Sequence, residues 1–539
     1  MKFSILVFSF FIVFFSCSME KEKKMVNLTE AVDQEQFQLY LARYFKEILK
    51  TNEFSNKDWI EEFYKKTNYK AIWIDESMKL NKLGDSLLKI IRHANYYGLD
   101  SKDYNFGKLQ VLSDSNAWDP IDNPYIKAAY LEILLSDVYM LFGKHLNFGK
   151  IDSITSLTHI ERKPFVIDMP AYFEEAIRKD RVFKSLWALQ PQHVDYQKLQ
   201  KALQNYLQYT SLSDEKVNVI NFRVDSIKSY NLAKEALVNH SYILPDDPEN
   251  SFLEALEKFQ IDHGLSPDGI VGKYTAAALS MSPLDYYQNA AISLERWRWK
   301  KSWESSYLHV NIPSYLLRYF KNDTLQLESN VVVGTVRNRT PEVYSKLSYL
   351  VAYPYWHVPR SISVKEIMVK AKADSSYMRR NNYEVFTKEL LEVPVDSIQW
   401  DTLNRKNFNF YIRQKGGAIN ALGFVKFIFY NKYSIYLHDT PTKYHFDRDV
   451  RSYSHGCIRV QKAMFLADSL LSDEKNAFTL DSVNQYIEDK KEKKVMLEKK
   501  LPVYIQYITC TTDENNRLIF YKDIYGYDEK IRKILFKEN

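Results

Sequence analysis

The chain has 539 residues, of which 45% are apolar and 26% charged, with only 14 glycines and 16 prolines. That excludes a largely disordered chain and is too much sequence for one core, so about three domains are expected. The formal charge of +6 is small for this length and gives no case for nucleic acid, which would need a concentrated basic face. Cys17, Cys457 and Cys510 have no mutual ligand spacing, so neither a disulfide framework nor a metal cluster is expected.

Lys2, an apolar run over 3–15 and Ser16-Cys17 have the charge, length and small residue of an export signal. The run is short for a transmembrane helix. Small residue then cysteine resembles a bacterial lipoprotein signal, in which Cys17 would become the lipidated N-terminus. Phe14 stands where such signals usually carry leucine. The expectation is a signal over 1–16, a polar tether over 17–34, and a periplasmic, lipid-anchored body; which membrane holds the anchor is open.

From 35 to 227 apolar residues recur at helical spacing: Phe37, Leu41, Tyr44, Phe45 and Ile48, then Leu87, Leu88, Ile91 and Ala94, then the run 128–142. Gly98 reads as a C-cap, with Asp100-Ser101 opening the next turn. Residues 68–73 read as extended. His93, His145 and His159 are isolated and read as structural, so this half is expected to be a helical scaffold domain.

A small helical module is expected over 228–284. Phe252, Leu253, Leu256 and Phe259 form one stripe of a helix that Gly264 ends. Pro267-Asp268-Gly269 then makes a turn before a second helix over 273–279. The order Phe259-Gln260, His263-Gly264-Leu265, Asp268-Gly269-Ile270-Val271-Gly272 and Thr275 resembles the peptidoglycan-binding domain family. Wall binding and scaffolding are both open for it.

After a connecting helix over 285–304 the pattern alternates. Strands are expected at 308–313, 331–334 and 349–353, and as a hairpin, 424–430 with 433–438, joined at Asn431-Lys432. Alternation puts Ser434, Tyr436 and His438 on one face and Tyr433, Ile435 and Leu437 on the other. Cys457 follows 19 residues after His438, in Ser454-His455-Gly456-Cys457-Ile458-Arg459-Val460. Val460, Ala463, Met464, Ala467, Leu470 and Leu471 have helical spacing, so Cys457 is expected in a turn at a helix N-terminus. The dipole there would favour its thiolate, and free N–H groups could hold an oxyanion. His438 is the first choice of base; His357, His445 and His455 compete.

Asn420-Ala421-Leu422-Gly423, Leu437-His438-Asp439-Thr440-Pro441 and the 454–460 stretch, in that order, resemble the L,D-transpeptidase (YkuD-type) catalytic domain. Glu295 to Trp299, Asn311-Ile312-Pro313, Pro354-Tyr355-Trp356-His357-Val358-Pro359 and Asp523-Ile524-Tyr525-Gly526 extend the resemblance to its long YcbB-type members. It implies a multidomain α+β chain: helical scaffold, peptidoglycan-binding module, β-rich catalytic domain over 305–475 with a lid at about 363–413, and a C-terminal extension over 476–539. Shorter relatives carry glycine where Asp439 stands, and its carbonyl orients the histidine, a role that does not depend on the side chain. Gly416-Gly417 stands where relatives often have Pro-Gly, which loosens that turn.

The resemblance implies a thiolate of Cys457 attacking residue three of a peptidoglycan stem tetrapeptide. His438 acts as base, then as acid to the leaving D-Ala. Backbone N–H groups at Cys457, His455 and Gly456 hold the oxyanion, and Ser454 bonds within the loop. A diaminopimelate amine of a second stem takes the acyl group, giving a 3→3 cross-link without metal or cofactor. Arg459, Tyr355, Trp356 and Asp439 are the candidate substrate contacts, with bracing of the loop the preferred reading of Arg459 and core packing an equal reading of Tyr355 and Trp356. Cys510 reads as a buried bystander. An L,D-carboxypeptidase, attachment of a protein amine, and a non-catalytic wall-binding lipoprotein remain alternatives. The oligomeric state is not legible.

Overall fold

A computed structural model describes residues 34–51, 53–114, 123–152, 164–248, 250–299, 302–472 and 478–536. The export signal, the tether, Cys17 and His159 lie outside the described residues. No helix among the described residues is long and apolar enough to cross a membrane. The chain divides into two compact units: residues up to Ile91 with Asn105–Leu141, and Arg92–Tyr104 with the residues from Phe142 on.

The first unit is helical, with α1 (Gln34–Leu49), α2 (Lys57–Lys66), α3 (Lys82–Arg92), α4 (Phe106–Ser113) and most of α5 (Pro124–Phe148). The periodic residues Phe37, Leu41, Phe45 and Ile48 are buried, each such side chain contributing about 1.5–3 kcal/mol. Residues 68–73 form no extended strand: the chain turns at Asn68 and Tyr69 and bends at Ile72 and Trp73. Asn68 and Tyr69 adopt positive φ, and the chain then wraps over a buried carboxylate. Glu132 accepts from the backbone N–H groups of Ile72, Trp73 and Ile74 at 2.7, 2.9 and 3.1 Å and from the Tyr64 hydroxyl at 3.0 Å. Burial pushes Glu132 up to about 7 despite those donors.

The second unit begins with a short helical turn that Gly98 caps at φ +65°, as its position predicts. It continues through α6 (Met169–Arg178), α7 (Val182–Leu189) and α8 (Val194–Tyr209) into a three-helix module, α9 (Ser226–Asn239), α10 (Ser251–Asp262) and α11 (Lys273–Leu279). Leu256 and Phe259 fill the module core, but Leu253 departs from the expected stripe: it is exposed, and its methyl covers Gly269. The motif residues are bonded to one another. The Gln260 amide donates to Asp268 Oδ1, Ile270 O and Thr275 Oγ1, and its Oε1 accepts from Gly269 N at 2.9 Å. The sequence order that marks this module therefore encodes its turn. Its Ser266 hydroxyl and N–H both donate to Asp449, in the segment between His438 and Cys457.

The connecting helix α12 (Pro283–Arg298) starts on a Ser282/Asp285 capping box and leads into the strands. These are β1 (Tyr307–Asn311), β2 (Leu316–Lys321), β3 (Thr324–Gly334), β4 (Val343–Ala352), β5 (Trp356–His357), β6 (Tyr383–Phe386), β7 (Glu392–Val393), β8 (Tyr411–Gln414), β9 (Val425–Phe429), β10 (Leu437–His438), β11 (Ser452–Ser454), β12 (Ile458–Val460) and β13 (Lys493–Gln506). Nine of them pair in the order β11-β3-β12-β10-β9-β4-β13-β1-β2, and β2 pairs again with β3, closing the sheet on itself. Leu308, Val310, Val331, Val333, Leu350, Phe427, Leu437 and Ile458 point into one core. β13 lies between β4 and β1, so the segment expected as a C-terminal extension supplies a central strand. A helix over Ala463–Leu471 and a second, capped helix over Leu480–Glu488 intervene before that strand, and this conceals its membership in the sequence.

The lid segment is a subdomain with its own sheet, β5-β8-β6-β7, and its own core of Val364, Ile367, Met378, Val385, Trp400, Phe408 and Ile412. Gly416 packs against the Tyr353 ring with no room for a Cβ.

Candidate active site

Two parallel strands carry the site. β10 and β12 pair Leu437 with Ile458 and His438 with Arg459, and Ile458 N–H donates to Tyr436 O at 3.0 Å. Leu437 and Ile458 are fully buried in the barrel core. Alternation then puts Tyr436, His438, Cys457 and Arg459 together on the opposite face. The faces of 435–438 are as the sequence predicts. The hairpin is not: β10 has two residues, because Ser434 at φ +55° and the Asn431 side chain, which bonds Tyr433 N, Ile435 N and Ile435 O, form a wider turn.

Cys457 does not precede a helix. The three-residue strand β12 follows it, and the helix starts only at Ala463, beyond the reach of a terminal dipole. The thiol is partly buried and unpaired. Burial pushes it up to about 11, opposed by hydrogen bonds from Tyr436 and by the Arg459 charge. Tyr436 and the sulfur influence each other electrostatically: burial and then Cys457 push the Tyr436 hydroxyl up, and Trp356 opposes this. Tyr436 is a site residue that sequence reasoning placed on the right face but gave no role. Tyr436 lowers the thiol against the effect of burial, so replacing it by phenylalanine is expected to slow alkylation of Cys457 at pH 8. An unchanged rate counts against this contact.

His438 is buried, and its Nδ1 donates to Asp439 O at 2.5 Å, which leaves Nε2 unprotonated as an acceptor. Burial, then the Arg459 charge, push it down to about 3. The base competitors are engaged elsewhere. His357 is in the lid sheet beside Arg413. His445 accepts from Arg459 Nη1 at 3.2 Å and stacks on Tyr453. His455 pairs through Nε2 with Glu366 of the lid. Glu366 sits in the π-helical turn Ser363–Ile367, a distortion frequent at functional sites.

Asp439 is not placed for substrate. Its Oδ2 accepts from Phe424 N at 3.0 Å, its Oδ1 meets Lys443 Nζ at 2.6 Å, and it packs against Gly423 so closely that a Cβ there would lie 2.2 Å from Oδ2. Ser454 bonds within the loop as expected: its hydroxyl donates to Cys457 O at 2.5 Å and accepts from Gly456 N at 3.1 Å. That takes the Gly456 N–H away from an oxyanion role. Arg459 is half-buried and donates to neutral His445, which braces it without neutralising its charge. Tyr355 lies under the Arg413 guanidinium at 4.8 Å, its backbone N–H on Glu492. Cys510 is fully buried against α8 and α12 residues, far down the chain from the site.

A thiol, an oriented neutral imidazole and a cation share one face of a closed barrel, groups with the chemistry for nucleophilic attack by sulfur. Residues 305–503 match the YkuD family, described as the L,D-transpeptidase catalytic domain, and residues 58–203 match a family described as the scaffold domain. A curated Haemophilus influenzae protein named "Putative L,D-transpeptidase" is 38% identical over 224 residues, 42% of this chain and 45% of that relative. The chain thus spans less than half the length of the relative. It carries a YkuD L,D-transpeptidase catalytic domain together with a scaffold domain.

Proposed function

We propose that the chain is a peptidoglycan L,D-transpeptidase working through an acyl-enzyme on Cys457. What supports this most is the shared face of Cys457, Tyr436, His438 and Arg459. Sγ attacks the carbonyl carbon of the third stem residue while His438 Nε2 takes the thiol proton. The C–S bond forms, an oxyanion develops on the carbonyl oxygen, and the bond to D-Ala breaks as His438 returns the proton to its amine. The diaminopimelate side-chain amine of a second stem then attacks the thioester and releases Cys457, leaving a 3→3 cross-link. Arg459 is a cation on this face for a stem carboxylate, and Lys426, paired opposite His438, is a second. The apolar run before Cys17 supports a periplasmic, lipid-anchored placement, and the module at 226–279 supports delivery to the wall.

Purified chain incubated with stem tetrapeptide and followed by mass spectrometry tests the reading. The expected product is a cross-linked dimer lacking one D-Ala. Tripeptide alone would make water the acceptor and the enzyme an L,D-carboxypeptidase. Unchanged tetrapeptide would leave a wall-binding protein.

A further inference from the structure

The Asp523-Ile524-Tyr525-Gly526 motif has no part in the chemistry above, yet its tyrosine reaches the nucleophile's loop. The Tyr525 hydroxyl donates to Gly334 O at 2.8 Å and accepts from Thr340 N at 3.0 Å. Thr340 is fully buried. Its hydroxyl accepts from Gly334 N at 2.9 Å and donates to Gly456 O at 2.8 Å. Three segments distant in sequence thus close a ring of hydrogen bonds whose outlet is the carbonyl directly before Cys457. Behind it, Tyr525 N–H donates to the Tyr507 hydroxyl at 2.8 Å, and that hydroxyl donates to Asp523.

A trans peptide aims its C=O and N–H in opposite directions. With Gly456 O turned onto Thr340, the Cys457 N–H points away from it. Among the described hydrogen bonds that N–H has no protein acceptor, whereas the Gly456 N–H is taken by Ser454. Gly456 sits at φ +111°, where glycine is free and a flip of the following peptide is cheap unless something holds it. We propose that Thr340, itself held by Tyr525, is a positioning residue that fixes the Gly456–Cys457 peptide so that the Cys457 N–H faces the developing oxyanion. The proposal rests on the reading of Cys457 as the acylated nucleophile.

Two reactions of the same sulfur separate this role from general damage. Acylation by a carbapenem passes through an oxyanion; alkylation by iodoacetamide, a displacement at saturated carbon, does not. Thr340→Val should lower the acylation rate by about tenfold or more, since loss of a whole oxyanion donor costs about 100–1,000-fold, while leaving alkylation within about twofold. Thr340→Ser should restore acylation, and Tyr525→Phe should lower it in the same sense by less. Equal losses in both reactions, or no loss of acylation in a folded Thr340→Val chain, overturn the proposal. If that variant does not fold, Tyr525→Phe and Thr340→Ser carry the comparison, and an unchanged ratio of the two rates in Tyr525→Phe overturns it. A wild-type chain that alkylates but is acylated by neither carbapenem nor tetrapeptide defeats the reading of Cys457 itself.

Discussion

Cys457→Ala is expected to abolish D-Ala release from stem tetrapeptide, with a loss of at least about 10⁴-fold, because the proposed covalent intermediate forms on this sulfur. The thermal unfolding midpoint should move little, since Cys457 only borders the barrel core. The wild-type pH dependence follows from the same surroundings. Burial holds the thiol at about 11 and His438 at about 3, so at neutral pH both are uncharged and about one thiol in 10⁴ is ionised. In the proposed mechanism Cys457 is then no preformed thiolate and becomes one as His438 removes its proton during attack. Alkylation by iodoacetamide should therefore climb steadily from pH 7 to pH 10. Turnover of tetrapeptide should stay flat through pH 5–8, because the imidazole keeps its basic form far below the usual histidine range. Alkylation that levels off below pH 7 would mean a standing thiolate–imidazolium pair and would contradict the burial seen here. His438→Ala should leave alkylation at pH 10 nearly intact while removing turnover, since only turnover needs the proton carried.

What the sequence revealed of this site was local. The alternation over 435–438 is a property of four adjacent residues, and it correctly separates Ile435 and Leu437 in the core from Tyr436 and His438 on the reactive face. The role of the Asp439 carbonyl was likewise legible, because a backbone acceptor depends on position and not on side chain. The thiol's state was misread because Ile458-Arg459-Val460 is too short to announce a strand, and the apolar spacing behind it mimics one continuous helix. Its true partners, β10 and β3, lie on either side of it by long-range pairing. β13 has the same cause: its place between β4 and β1 is fixed by pairing with residues about 140 to 195 positions upstream. Tyr436 was the one missed residue whose signal was present, since sharing a face with His438 already put it beside whatever His438 serves. Thr340 and Tyr525 had no local signal at all, because their bonding partners lie 116 and 191 residues away.

The Glu295-Arg296-Trp297-Arg298-Trp299 stretch has a stability role that is large for the same long-range reason. Arg296 is fully buried, with Nη2 3.1 Å from Asp528 and Nη1 3.5 Å from Glu342, and it lies over the rings of Trp299 and Tyr507. One guanidinium faces two buried carboxyls, and burial keeps Glu342 at about 7 and Asp528 above its ordinary range even with Arg296 present. Arg296→Met should cost about 3–5 kcal/mol of unfolding free energy at pH 8, the usual loss when a buried charge is left without its partner. The sign of the pH effect is set by the raised carboxyls. A carboxyl whose folded pKa lies above its unfolded one stabilises below the unfolded value, and that contribution is lost as pH rises through the folded value. Arg296 lowers both pKa values, so removing it raises them further and widens the window in which the fold is penalised for ionising them. Urea denaturation of Arg296→Met should thus show a deficit that is largest at pH 8 and shrinks towards pH 5. A deficit equal at both pH values would put the cost in lost packing against Trp299 and Tyr507 instead. Asp528 N–H also donates to Asp523 at 2.9 Å, and Asp523 holds Tyr507 behind Tyr525. In a variant that is still folded at pH 6, carbapenem acylation should therefore fall more than alkylation of the same cysteine, since the pair that anchors the C-terminal segment also anchors the brace on Gly456.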